Sequence, residues 1–291
     1  MQLPDSELII NPDGSIYHLN ILSEDVAKTI IFVGDPERVA AVSKHFDTIE
    51  IKKQKREFVT HTGTLKGKRI TVISTGISTD NIDIVLNELD ALVNIDLKTR
   101  RIKKELTQLD IVRIGTSGSM QKDVKVDDFL VSSFGVGMDS LMNFYEFETT
   151  PRAAKIQSTF EKLLDESLFS IVTPYVFPAN NVLLEKIGKG MKRGVTLTCP
   201  GFYAPQGRQL RAKSQIDVKF IKKTAKLKLV DNRFTNFEME TAGIYGLAHV
   251  LGHRALSCNA ILANRITNEF SQKPKKTVEK LIKTVLKRLV D

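Results

Sequence analysis

Cysteine is scarce in this chain of 291 residues, occurring only as Cys199 and Cys258. Two thiols so far apart make neither a disulfide framework nor a zinc cluster, and the usage suits a reducing compartment. No run approaches the ~18 consecutive apolar residues of a membrane span. The N-terminus, MQLPDSELIINPDGS, lacks the basic and apolar regions of a signal peptide, so a cytoplasmic protein without a membrane partner is expected. Acidic residues are also in deficit, 34 Asp and Glu against 43 Lys and Arg, which leaves a formal net charge of +9. That balance admits two kinds of anionic partner, nucleic acid or a small anion such as phosphate.

Much of the basic excess lies in KTRRIKK (98–104) and between Lys273 and Arg288, a stretch with seven basic residues and one Glu. There Val278, Leu281, Ile282, Val285 and Leu289 recur at helical spacing, which predicts a closing amphipathic helix with its lysines in solvent. No aromatic residues interleave the charges as stacking platforms would, so no nucleic-acid partner is expected.

Short β-branched runs predict buried strands at TIIFV (29–33), ITVIS (70–74), DIVRI (110–114), DFLVSS (128–133), GVTLT (194–198) and ALSCNAILA (255–263). Helical patterns fall at 36–45, 81–92, 156–164, 241–251 and in the tail. Strands alternating with helices indicate an α/β fold with a largely parallel sheet covered on both faces. With 42% apolar residues, no internal repeat and no dividing linker, one domain over 1–291 is expected. Ligands of such sheets gather beyond the carboxyl ends of the strands.

Three strand ends stand out. The first strand runs into Gly34-Asp35-Pro36-Glu37-Arg38, where a helix N-terminus beside an Arg can hold phosphate, or can simply be a turn with a surface Arg. The third carries Arg113-Ile114-Gly115-Thr116-Ser117-Gly118. An Arg inside an apolar strand needs a partner, either an anion flanked by the hydroxyls of Thr116 and Ser117 or an internal carboxylate. Later, Glu238-Met239-Glu240 precedes an apolar helix, where carboxylates can bind paired sugar hydroxyls or cap the helix.

In this order the motifs resemble the nucleoside phosphorylase-I family, and most closely its uridine phosphorylases. The matching segments are YHL (17–19), GDPERV (34–39), REF (56–58), STGI (74–77), RIGTSG (113–118), FYAPQGR (202–208), EME (238–240) and NR (264–265), and eight in register are specific where each alone is weak. The resemblance implies a nucleoside phosphorylase-like three-layer α/β/α fold with a mixed, mostly parallel sheet. It also implies a pentosyltransferase that cleaves uridine reversibly with inorganic phosphate, giving uracil and ribose 1-phosphate, without a cofactor.

It further implies that phosphate is held by Gly34, Arg38, Arg113, Thr116 and, from a neighbouring subunit, Arg56. The base would meet Phe202, Gln206 and Arg208, and the ribose Glu238, Met239 and Glu240, with Thr116 and Ser117 alongside. His18 of a neighbouring subunit would reach the 5′-hydroxyl. Arg265 stands where purine-specific relatives carry an acid, and an Arg cannot protonate a base. Arg113, Gln206, Arg208 and Glu240 are the residues expected to carry catalysis. Borrowed side chains imply a homodimer or homohexamer.

Two departures from bacterial members accompany the match. Ser78-Thr79-Asp80-Asn81 replaces a Gly-Gly-Pro-Ser-like turn, so Glu57 remains of a monovalent-cation site while Asn81 takes the place of its Ser, and no metal is expected. The stretch 94–104 is an insertion. The rivals are a phosphorylase of 2′-deoxyuridine, thymidine or a purine nucleoside, a hydrolase using water, and a non-enzymatic nucleoside binder.

Overall fold

The β-branched runs pair into two parallel groups that point in opposite directions. The structure, a computed structural model, describes residues 2–164, 172–229 and 231–291. In the first group β1 (Thr29–Val33) lies between β4 (Lys68–Ser74) and β7 (Asp110–Ser119), and β7 runs on beside β12 (Arg254–Asn264). In the second, β10 (Lys192–Thr198) lies between β8 (Phe129–Gly137) and β11 (Phe234–Glu238). The groups meet antiparallel at two seams, β11 on β7 and β12 on β8, so five strands close on themselves. That closure has no signature in any one segment.

Antiparallel strands extend this centre. β2 (Thr48–Lys55) and β3 (Phe58–Leu65) continue outward from β4. β9 (Tyr175–Pro178) joins β8, and β13 (Glu269–Phe270) folds back on the end of β12. The stretch 94–104 holds a separate small hairpin, β5 (Ile95–Asp96) with β6 (Arg101–Ile102).

Seven helices are described: α1 (Pro36–Ser43), α2 (Thr79–Asn94), α3 (Pro151–Glu161), α4 (Asn181–Ile187), α5 (Val218–Lys226), α6 (Thr241–Val250) and α7 (Pro274–Val290). The fold is the expected mixed α/β arrangement. All five residues of β1 are buried, as a continuous apolar run in a parallel centre requires. In α7 the apolar stripe of Leu281, Ile282, Val285, Leu286 and Leu289 is buried while Lys276, Lys280, Lys283 and Lys287 are exposed. Much of the charge excess in the tail is therefore a solvated helix face. At its end, Lys68 and Lys186 donate to the Leu289 carbonyl at 3.0 and 3.5 Å, where cations suit the helix dipole. Among the described residues no helix is long and apolar enough to cross a membrane.

Candidate active site

Segments following β1, β4, β10 and β11 converge with the wall of β7 on a cavity of about 800 Å³. Asp35 caps α1 by accepting from the Glu37 N–H at 2.9 Å, which sets Gly34 and Arg38 on the cavity wall. Arg38 donates to the Ile114 carbonyl at 3.4 Å. Burial lowers its pKa, and the neighbouring charge of Arg113 adds to the effect. Both causes make the spot favourable for an anion.

Arg113 lies inside β7 and is almost wholly buried. Gly115, two residues on along the same strand face, gives it room, since a Cβ there would fall 1.6 Å from Arg113 Nη1. Nη2 donates to Glu240 and lies 3.5 Å from Glu238 Oε2, while Nη1 donates to Asn259 Oδ1 at 3.2 Å. Burial opposes the charge of Arg113, and Glu240 and Glu238 more than offset this, so its pKa is raised. Of the two partners open to this Arg from sequence, the internal carboxylate is present, and it lies on the cavity wall.

The two carboxylates of the EME motif divide the work. Glu238 caps α6, accepting from the N–H groups of Glu240 and Thr241 at 3.0 and 2.9 Å and from Thr198 Oγ1 at 2.7 Å. Glu240 occupies the N-cap position but makes no side-chain cap. Its carboxylate instead takes the Arg113 bond and the Ser78 N–H, at 2.9 Å. Burial raises the Glu240 pKa, and Arg113 opposes the rise. Ser78 donates from a left-handed backbone, φ 86°, a costly conformation for a residue with a Cβ.

The segment after β10 carries Phe202, Gln206 and Arg208, which also line the cavity. Arg208 Nη1 donates to the Phe202 carbonyl at 2.7 Å and to Gln206 Oε1 at 2.6 Å, and its guanidinium sits 3.8 Å from the Phe202 ring centre. These contacts fix the Gln206 amide, with oxygen towards Arg208. Burial, with Arg265 nearby, pushes the Arg208 pKa down to about 10. Leu262, Phe270, Phe237 and Met239 form an apolar wall.

Thus Gly34, Arg38, Arg113, Thr116, Ser117, Phe202, Gln206, Arg208, Glu238, Met239 and Glu240 line one cavity. His18, Arg56 and Arg265 are not among its lining residues. His18 Nδ1 sits 2.6 Å from Glu88 Oε1, and Glu88 also accepts the N–H groups of His18 and Leu19. Arg56 is exposed at the turn between β2 and β3. Arg265 braces the loop after β10, donating to the Gln206 and Gly207 carbonyls at 2.9 and 3.1 Å. Glu57 and Asn81 line the cavity beside Gly76. Among the described residues no group of three or more His, Cys, Asp or Glu is placed to hold a metal ion. Asn259, Leu262 and Phe270 were not singled out by sequence. They owe their positions to the register and end of β12 and to the β13 fold-back.

The sequence profile of the phosphorylase superfamily matches residues 28–291. A uridine phosphorylase of Thermococcus kodakarensis is 29% identical over 286 residues, 96% of this chain and 88% of that protein. A DeoD-type purine nucleoside phosphorylase of Listeria monocytogenes is 28% identical over 253 residues, 87% of this chain and 88% of the other. The crystal structure of a Trypanosoma brucei nucleoside phosphorylase, described as showing uridine phosphorylase activity, superposes with a TM-score of 0.88 at 29% identity, covering 97% of this chain and 99% of that one. Profile, fold and the order of motifs agree: the chain belongs to the phosphorylase superfamily.

Proposed function

We propose that the protein is a uridine phosphorylase, catalysing the reversible reaction of uridine with inorganic phosphate to give uracil and ribose 1-phosphate. The observation that carries this is one cavity whose lining joins Arg38 and Arg113 with Gln206 and Arg208 and includes Glu240.

Phosphate binds against Gly34, Arg38, Arg113 and Thr116, whose guanidinium and amide donors neutralise a dianion and hold one oxygen towards the sugar. Glu240 accepts from the ribose hydroxyls with Met239 beneath the ring, and Phe202 stacks on the base. As the glycosidic bond breaks, positive charge collects on the sugar and negative charge on uracil. Burial makes the charge of Arg208 costly, as its lowered pKa of about 10 records, so an anion forming beside it is stabilised in a way the neutral base is not. Positioning and electrostatics suffice, with no cofactor. His18 and Arg56 are supplied by a neighbouring subunit, which makes a homo-oligomer the active form.

Purine relatives among the similar proteins support a second reading, a purine nucleoside substrate. Against it, Arg265 stays protonated and is occupied with loop carbonyls, so it cannot act as a general acid on a purine. Uracil release from uridine, followed by ultraviolet absorbance with and without phosphate and with inosine as the control, decides. Phosphate-dependent release from uridine alone is expected. Release indifferent to phosphate means a hydrolase, and turnover of inosine alone means a purine enzyme.

A further inference from the structure

β7 and β12 run side by side in a register that sets Ser257 opposite Arg113 and Asn259 opposite Gly115. A Cβ at Gly115 would lie 1.6 Å from Arg113 Nη1 and 2.9 Å from Asn259 Oδ1. The guanidinium therefore occupies the space that the absent side chain leaves, and the neighbouring strand meets it there with an amide oxygen at 3.2 Å. A guanidinium only donates, so the Asn259 amide has one orientation, oxygen towards Arg113. Its nitrogen donates to Ser257 Oγ at 3.3 Å, which also accepts from Thr241 Oγ1 at 2.9 Å, on the first residue of α6. Asn259 itself is fully buried.

Resting on the phosphorylase reading, we propose that Asn259 is a positioning residue that aims Arg113 at phosphate and does so without adding charge. Nη2 is held by Glu240 and Nη1 by Asn259, so the plane of the guanidinium is fixed from two sides before any substrate arrives. The amide matters because Glu238 and Glu240 already place two carboxylates on this one Arg. A third would reverse the local balance further, repel a phosphate dianion in a buried setting and draw the guanidinium back towards β12. Asn accepts the same hydrogen bond while leaving the balance unchanged.

The test is titration calorimetry of inorganic phosphate into the wild type, Asn259→Ala and Asn259→Asp, without nucleoside, alongside their unfolding midpoints. Kd should rise about tenfold in Asn259→Ala and about a hundredfold in Asn259→Asp, within the range of couplings between residues in contact. That order separates aiming from packing, because a purely structural role makes the near-isosteric Asn259→Asp the milder change and the void of Asn259→Ala the harsher one. The excess over wild type in Asn259→Asp should also shrink as pH falls and the new carboxyl is neutralised. Asn259→Asp binding phosphate as tightly as wild type, or Asn259→Ala proving the weaker binder, overturns the proposal, as does a wild type that binds no phosphate. If the expected order appears in a protein that releases no uracil, the substrate reading falls and the role of Asn259 stands.

Discussion

Arg113 and Glu240 are bonded to each other on the cavity wall, so the residue matched to phosphate and the residue matched to ribose form one buried ion pair. In the proposed reaction each substrate therefore meets a side chain already engaged with the other's.

Replacing Arg113 with Ala removes the proposed phosphate donor and also strands two buried carboxylates, Glu238 and Glu240. Phosphorolysis should fall by orders of magnitude, and the free energy of unfolding should drop by about 3–5 kcal/mol, as breaking a buried pair from one side does. Adding Glu240→Gln to Arg113→Ala should restore part of that stability and none of the activity. Denaturant melts set beside turnover check both halves, and full stability in Arg113→Ala alone would show the pair to be energetically idle.

In the proposed reaction Arg208 acts on the leaving base, so its loss should be felt in nucleoside kinetics and not in phosphate binding. In Arg208→Ala, kcat/KM for uridine should fall about a hundredfold, the size of a lost oxyanion-type donor. A 5-fluorinated uridine, whose base departs more readily as an anion, should lose only about tenfold if the donor serves that charge. Equal losses for both nucleosides would mean that Arg208 shapes the Phe202–Gln206 loop and contributes nothing specific to base departure.

Asp127 ties the start of β8 to the start of α7. Its carboxylate accepts from Ser271 Oγ at 2.6 Å and Thr277 Oγ1 at 2.5 Å, and these bonds hold its pKa below the ordinary 3.8. A depressed pKa means stability that is present above the unfolded value and lost as pH falls through the folded one. Asp127→Asn fits the same left-handed backbone, φ 70°, and should cost about 1 kcal/mol at pH 7. The difference from wild type should begin to close as pH drops below about 4, the unfolded value, and vanish only once pH has fallen through the lower folded-state pKa, where the wild-type carboxyl is itself protonated. A gap that persists in acid would assign the loss to shape, not charge.

Strands with a long buried stretch were legible because a β-branched run has few other uses, and β1, β4, β8, β10 and β12 lie where such runs occur. β2 was not legible: TIEIKKQK is exposed along most of its length and gives no apolar alternation to see. The predicted end of the third strand at Ile114 fell short by five residues, since Gly115 to Ser119 continue β7. Small and hydroxyl residues suggested a loop there, and pairing with β12 overrode them. The polar cavity residues were legible through motifs, whereas Leu262 and Phe270 were not, because the β13 fold-back and the end of β12 bring them there. The division of labour between Glu238 and Glu240 was not, because which carboxylate caps α6 depends on where Arg113 lies.

His18 and Arg56 stand apart from the cavity of their own chain, which makes subunit sharing testable by mixing. Arg56→Ala and Arg208→Ala should each be nearly inactive alone. Co-expressed in equal amounts and associating at random, they should recover about a quarter of wild-type activity, because that share of sites draws an intact Arg56 from one subunit and an intact Arg208 from the other. Dimers and hexamers give the same fraction, so the result reports sharing and not size. Activity no higher than the mean of the two single variants would show that each subunit completes its own site and that Arg56 serves elsewhere.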